Sequence, residues 1–225
     1  MSEVVYQSRT QAVDHAIGFH LLKAFDSDTI MPESVPKNYR NFLENENKLY
    51  WGVEGDVREI LQYIGGEVQG RLNLPALVLY RPVGAMESDY KEKFRNSKVV
   101  VSQESTRYFQ ASFFPIKLEY TLSVIGHDRY AVEEIHLNLQ HYFRKNPKFY
   151  VPYLIEDTEQ ELEARIENVE AMTFTDSSAS RLEDRVFAVQ TDIGIESQTA
   201  QGVSCAPINT QRIDFLEIGF LCNRQ

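Results

Sequence analysis

No apolar run in this chain approaches the ~20 residues that a bilayer-spanning helix needs. Its opening residues, MSEVVYQSRTQ, lack the basic stretch and apolar core of a secretory signal, so a soluble chain made in the cytoplasm is expected. Positive charge is short: 23 Lys and Arg stand against 33 Asp and Glu, a formal net charge of -10. That balance argues against nucleic acid as the main partner, because neutralising phosphates takes a surplus of cations. Cysteine is scarce too. Cys205 and Cys222 show no CxxC or Cys/His spacing, which leaves two reduced thiols and no metal centre as the expectation. Gly65-Gly66 and Gly52-Val53-Glu54-Gly55 lack the Lys-Ser/Thr of a phosphate loop. There is no Gly-x-Ser-x-Gly elbow, internal repeat or low-complexity tract. Apolar residues are not short: at 43% of 225 residues they suffice for a real core.

The pattern is clearest from Phe113 to Lys145. Phe114, Ile116, Leu118, Tyr120, Leu122 and Val124 recur at every second position with polar residues between them, which predicts a strand with one apolar and one wet face. Gly126-His127-Asp128 breaks that run and places Asp128 to cap a helix with Glu133 and Glu134 in its first turn. Val132, Ile135, Leu139, Tyr142 and Phe143 then trace a helical stripe, ended by Asn146-Pro147. A strand running into an amphipathic helix makes a two-layer unit.

Around this unit, Val13, Ala16, Ile17, His20, Leu21, Ala24 and Phe25 predict an N-terminal helix packed on the sheet. Lys37 to Lys48, dense in Asn and Glu, reads as a long loop. Val57, Ile60, Leu61 and Ile64 suggest a short helix, and Leu74 to Tyr80 a buried strand. Arg81 to Arg107 reads as a projecting loop or β-hairpin arm whose only strand-like piece is Lys98 to Ser102. Phe149 to Ile155 is extended, and its proline points to an edge or linker. Glu156 to Glu163 is an acidic run, Ile166 to Phe174 a strand candidate and Asp176 to Arg181 a turn. Arg185 to Glu196 alternates and is expected to pair with Ile166 to Phe174. Ser197 to Thr210 reads as a flexible loop, and Ile213 to Leu221 as a last strand or an arm needing a partner. The fold expected is α+β, a mixed, mainly antiparallel sheet flanked by two principal helices with long loop or hairpin insertions. It forms one domain over 1–225, with a projection at 81–107 and a C-terminal arm at 197–225.

Chemistry is sparse. His15/His20 and His136/His141 are spaced by five, about 140° apart on a helix, a poor arrangement for joint metal ligation. His127-Asp128 reads as a turn and cap. Glu46-Asn47-Lys48 is a Glu-x-Lys tripeptide of the kind found in metal-dependent nucleases, but it lies in a polar stretch and not on a strand. Trp51 reads as an ordinary core or interface aromatic. The extended aromatic run containing Phe149, Tyr150 and Tyr153 favours an interface, as do Phe215 and Phe220 on the arm. Arg107, Lys117 and Arg129 are candidates for charge contacts between subunits.

The serial order of these pieces resembles the tail terminator proteins of contractile-tailed bacteriophages, also called tail completion or tail sheath stabiliser proteins. The resemblance is carried by Phe114-Pro115-Ile116-Lys117 leading into Tyr120-x-Leu122-Ser123 and by the helix ending at Tyr142-Phe143. Val151-Pro152 and the segments Val169 to Phe174 and Arg185 to Glu196 follow in order. Tyr6 in the N-terminal helix region and LPALVLYRP also occupy matching places, and the likeness is strongest over 114–196. It implies a structural virion protein at the tail-neck junction and not an enzyme, with no cofactor. Such a protein forms a homo-hexameric ring on the tail tube and sheath, stops their polymerisation and offers a surface to neck or connector proteins. DNA would pass through the lumen without specific binding, which suits an acidic surface. The alternatives are a neck or head-to-tail connector protein and, from another class, a nuclease using Glu46 and Lys48.

Overall fold

The changes of hydrophobic period along the chain become an alternation of helices and strands in the computed structural model, which describes residues 10–26, 35–52, 59–60, 74–84, 86–87, 97–101, 107–155, 158–180 and 185–207. In chain order these are α1 (Gln11–Lys23), α2 (Lys37–Glu44), β1 (Leu49–Trp51), β2 (Ala76–Tyr80), β3 (Met86–Glu87), β4 (Ser97–Val101), β5 (Arg107–Gly126), α3 (Arg129–Lys145), β6 (Lys148–Ile155), β7 (Thr158–Ile166), β8 (Thr175–Asp176), β9 (Ala179–Ser180) and β10 (Arg185–Pro207). The sheet runs β1-β2-β5-β10-β7-β6. Among the described residues only β1 and β2 pair in parallel and the other ladders are antiparallel, so the fold is α+β with a mixed sheet.

The core follows from the period-2 pattern of β5. Ile116, Leu118, Tyr120, Leu122 and Val124 are buried against the helical layer, while Lys117, Glu119 and Thr121 lie on the other face. Each buried aliphatic side chain contributes about 1.5–3 kcal/mol by leaving water. The wet face is not wet throughout. Ser123 and Ile125 are buried, and Ile125 joins Ile60, Val78, Val186 and Ala188 in a second, smaller cluster. Ile60 is helical with its neighbour Glu59, and the rest of the helix expected over Val57 to Ile64 lies outside the described residues. At its other end the alternation also shifts: Phe113 is buried and Phe114 exposed.

The α3 stripe forms as its spacing predicts. Val132, Ile135, Leu139 and Phe143 are buried, and the Asp128 carboxylate accepts from the Tyr130 amide at 3.0 Å as N-cap. Glu133 falls one turn later than expected, where it accepts from Arg129 at 2.7 Å in an i, i+4 pair.

Four expectations are corrected. Lys37 to Glu44 is helical, not a loop, because Tyr39 and Phe42, one turn apart, are both buried and Asn138 of α3 donates to the Tyr39 hydroxyl. Two anchoring aromatics outweigh a polar composition, and the carbonyl of the N-cap residue Pro36 accepts from the Tyr39 and Arg40 amides at 3.0 and 3.2 Å. Ile166 to Phe174 is not a strand: Val169–Ala171 is a 3-10 turn entered through Asn168 at φ 46. The partner of β10 is β7 instead, in the segment marked only by its acidity, through Ile195↔Ile166 and Glu196↔Arg165. Asp176 to Arg181 is not a plain turn, since β8 and β9 within it pair with β10. Ser197 to Pro207 is no flexible loop: it continues β10 against β5 as far as Pro207↔Arg107, past an irregularity between Ala200 and Gly202. In the 81–107 insertion, β3 and β4 both pair with β5 and lengthen the sheet.

Helix α1 reaches both ends of the strand order. It contacts β6, and at Gly18 it lies so close to β1 that a Cβ would stand 3.3 Å from Leu49 Cδ2. It is tied to the middle of the sheet by Asp14, which accepts from Arg81 Nε at 2.7 Å and from the Tyr120 hydroxyl at 2.7 Å.

Candidate interaction surface

The buried stripe of α1 (Val13, Ala16, Ile17, His20, Leu21) leaves His15, Phe19 and Lys23 outward. Phe19 is 66% exposed, a large aromatic on the wrong side of its own helix. Next to it Gly18 opens a notch for Trp51, 48% exposed, and across a groove of about 520 Å³ stands Tyr150, 62% exposed. Three of the large exposed apolar side chains thus gather along α1, between the two ends of the sheet. Scattered exposed apolar residues are ordinary, but a gathered set marks an interaction site.

The floor of the groove is held by stacking and a hydrogen bond. His20 stacks on Phe149 with ring centroids 4.9 Å apart, and its Nε2–H donates to the Asn146 carbonyl at 2.9 Å. A carbonyl only accepts, so the neutral tautomer carries its proton on Nε2 and turns Nδ1 toward the Tyr142 hydroxyl, 3.5 Å away. Burial holds the His20 pKa below the ordinary imidazole value, with nearby Lys23 acting in the same direction. As pH falls through about 6.5, the unfolded chain takes up a proton that folded His20 refuses, so stability present above that pH is lost toward the depressed folded value. Urea unfolding between pH 7.5 and 5.5 should show a steeper loss in the wild type than in His20→Gln; equal slopes would refute the assignment.

Among the described residues β6 is paired on one side, and one bond specifies its other edge. The Ile166 amide donates to the Pro147 carbonyl at 2.8 Å, which makes the odd residues of β6 the hydrogen-bonded ones and turns the backbone of 148, 150, 152 and 154 outward. Pro152 occupies an outward position and offers no N–H, an interruption that keeps the edge from extending freely.

The residues singled out from the sequence divide as follows. Tyr150 is exposed on the groove, whereas Phe149 points into the core beneath it. Tyr153 pairs with Gln160 in the β6/β7 ladder and Arg107 begins β5 opposite Pro207, the side chains of both lying outside the described residues, as do Phe215 and Phe220 entirely. Lys117 lies on the opposite sheet face, where its ammonium meets Glu167 at 2.6 Å. That hydrogen bond, outweighing some desolvation, raises its pKa, and the carboxylates of Glu119 and Glu196 add to the effect. The bridge passes over Gly194, where a Cβ would collide with the Glu167 carboxylate. Phe19 was missed, although an aromatic off an apolar stripe is a readable signal.

Other constellations do not assemble. Lys48 donates to the Asn45 carbonyl at 2.6 Å while Glu46 is exposed at the bend. Asp128 divides its oxygens between the Tyr130 amide and Asn38. Among the described residues no group of three His, Cys, Asp or Glu is placed to hold a metal, and no helix is long and apolar enough to cross a membrane. Compared with known proteins, the chain matches no protein-family model and no curated protein.

Proposed function

We propose that this chain is a structural assembly protein that caps a polymer of other subunits, in the manner of the phage tail terminators its sequence resembles. The observation that supports this reading most is the β5/β10 ladder. It continues unbroken in β5 from Gly126 to Arg107 and takes β4 along one side. A strand-built extension of this sort suits contact with neighbouring subunits, since strands can take up an added strand without needing a pocket. On this reading the chain forms a homo-hexameric ring on the last tube and sheath rings. One face mimics the next ring and the other refuses it, presenting a surface to the neck, and the net charge of -10 lets DNA pass without sticking.

Negative-stain electron microscopy of the purified protein, alone and with tail tubes assembled from the tube protein, tests the proposal. Rings seated on tube ends, with tube growth halted, are the expected result. Protein that leaves the tubes uncapped and still growing would overturn it, and rings found only on isolated necks would move the assignment to a connector.

A further inference from the structure

Helix α3 carries a second line of side chains, on the side opposite its buried stripe. Tyr130 and Leu137 stand seven residues apart, about two turns, and are 68% and 51% exposed. At about 100° per residue, His141 and Arg144 fall within about 40° of Tyr130 around the helix, and both are exposed. Half-exposed Glu133 and Glu134 flank the first half of the line. It therefore begins aromatic and acidic, has a leucine at its centre and ends cationic. Reversed end for end, such a line is complementary to itself.

We infer that this face of α3 packs antiparallel against α3 of a second copy, about a two-fold axis at Leu137. Tyr130 and Arg144 each stand seven residues from Leu137, so each guanidinium meets the partner's Tyr130 ring in a cation–π contact. Glu134 and His141 lean to one flank of the line, Glu133 and Arg144 to the other, and the two-fold axis keeps each flank on its own side. Each His141 thus comes level with the partner's Glu134, and each Arg144 with the partner's Glu133. Leu137 meets its own copy. These meetings cannot occur within one subunit, because Tyr130 and Arg144 are 14 residues apart, about 21 Å along the helix, and Glu133 and Arg144 are 11 apart, about 16 Å. Antiparallel packing also sets the positive end of each helix dipole beside the negative end of the other. A different helix would have to carry the same line in reverse, and the second copy already does. One helix face is small against the ~1,600 Å² of a standard interface, so pairing is reversible and grows with concentration. The contact is isologous and closes at two copies, which takes it beyond the capping ring and its heterologous contacts.

Disulfide cross-linking of the full-length chain, without tubes, tests the register. Cys205→Ser and Cys222→Ser remove the native thiols, single cysteines are placed on α3, and the oxidised protein is run on a non-reducing gel. Leu137→Cys should give a covalent dimer, since an axis at 137 brings its two copies within disulfide reach. Tyr130→Cys alone and Arg144→Cys alone should stay monomeric, because like positions then lie about 21 Å apart along the pair. Mixed in equal amounts, those two variants should cross-link to each other. All three positions are exposed, so the substitutions leave the core intact, and circular dichroism confirms it. A Leu137→Cys chain that stays monomeric, a mixture that fails to cross-link, or a Tyr130→Cys chain that links to itself as readily as Leu137→Cys would each overturn the inference. Tube capping is read separately. Rings that cap tubes while Leu137→Cys stays monomeric would remove the pairing alone, and uncapped tubes with the cross-linking pattern intact would remove the capping alone.

Discussion

Asp14→Ala should destabilise the protein by about 2–4 kcal/mol, seen as a lower urea midpoint at unchanged slope. The carboxylate sits between two donors. Arg81 gives it Nε at 2.7 Å and Nη2 at 3.1 Å, and the buried Tyr120 gives its hydroxyl at 2.7 Å. Alanine would remove the acceptor of that hydroxyl at a position 1% exposed, and the main partner of a guanidinium that also reaches the Thr10 hydroxyl at 3.3 Å. Because Asp14 and Arg81 are each about one-fifth exposed, solvent screens part of the charge term, which keeps the estimate below that for a fully buried pair. Asp14→Asn retains one acceptor and should lose about half as much. If Asp14→Ala costs no more than Asp26→Ala, an exposed carboxylate just beyond α1, the lock is not structural.

Phe143→Ala should cost more, about 3–5 kcal/mol, because it empties a fully buried site and the surroundings close only in part. The ring lies where α3 meets α1: it stacks over His20 with centroids 6.2 Å apart and touches Tyr142. Its loss would also slacken the floor of the aromatic groove. In the same neighbourhood Phe19→Ala should cost less than about 0.5 kcal/mol, since that side chain is two-thirds in water. Thermal and urea unfolding of the two variants side by side make the check; similar losses would mean that Phe19 is covered in the isolated protein.

That pair of phenylalanines shows where reading a sequence succeeds and stops. The heptad-like spacing of Val132, Ile135, Leu139 and Phe143 located the α3 core stripe correctly, cap included. The same spacing on α1 excluded Phe19 from the core without indicating that Tyr150 would stand across a groove from it, or Trp51 beside Gly18. α2 went unread because two aromatics in eight residues make too weak a period, and what holds them is the distant Asn138 and Phe25. The strand β7 was hidden by its acidic outer face, though Leu162, Ala164 and Ile166 alternate beneath it.

By itself the sequence determined the alternation of β5 and β10, the amphipathic faces of α1 and α3, the Asp128 cap and the edge character of β6. Each rests on neighbours within one or two turns or pleats, where backbone geometry sets which side chains share a face. Only the tertiary structure decided that β7, and not the segment after it, pairs with β10, that Ser123 and Ile125 are covered on the second face, and that Phe19 and Tyr150 line one groove beside α1. Those outcomes depend on what packs over an element from far along the chain, and burial by a distant partner leaves no period in the residues being covered.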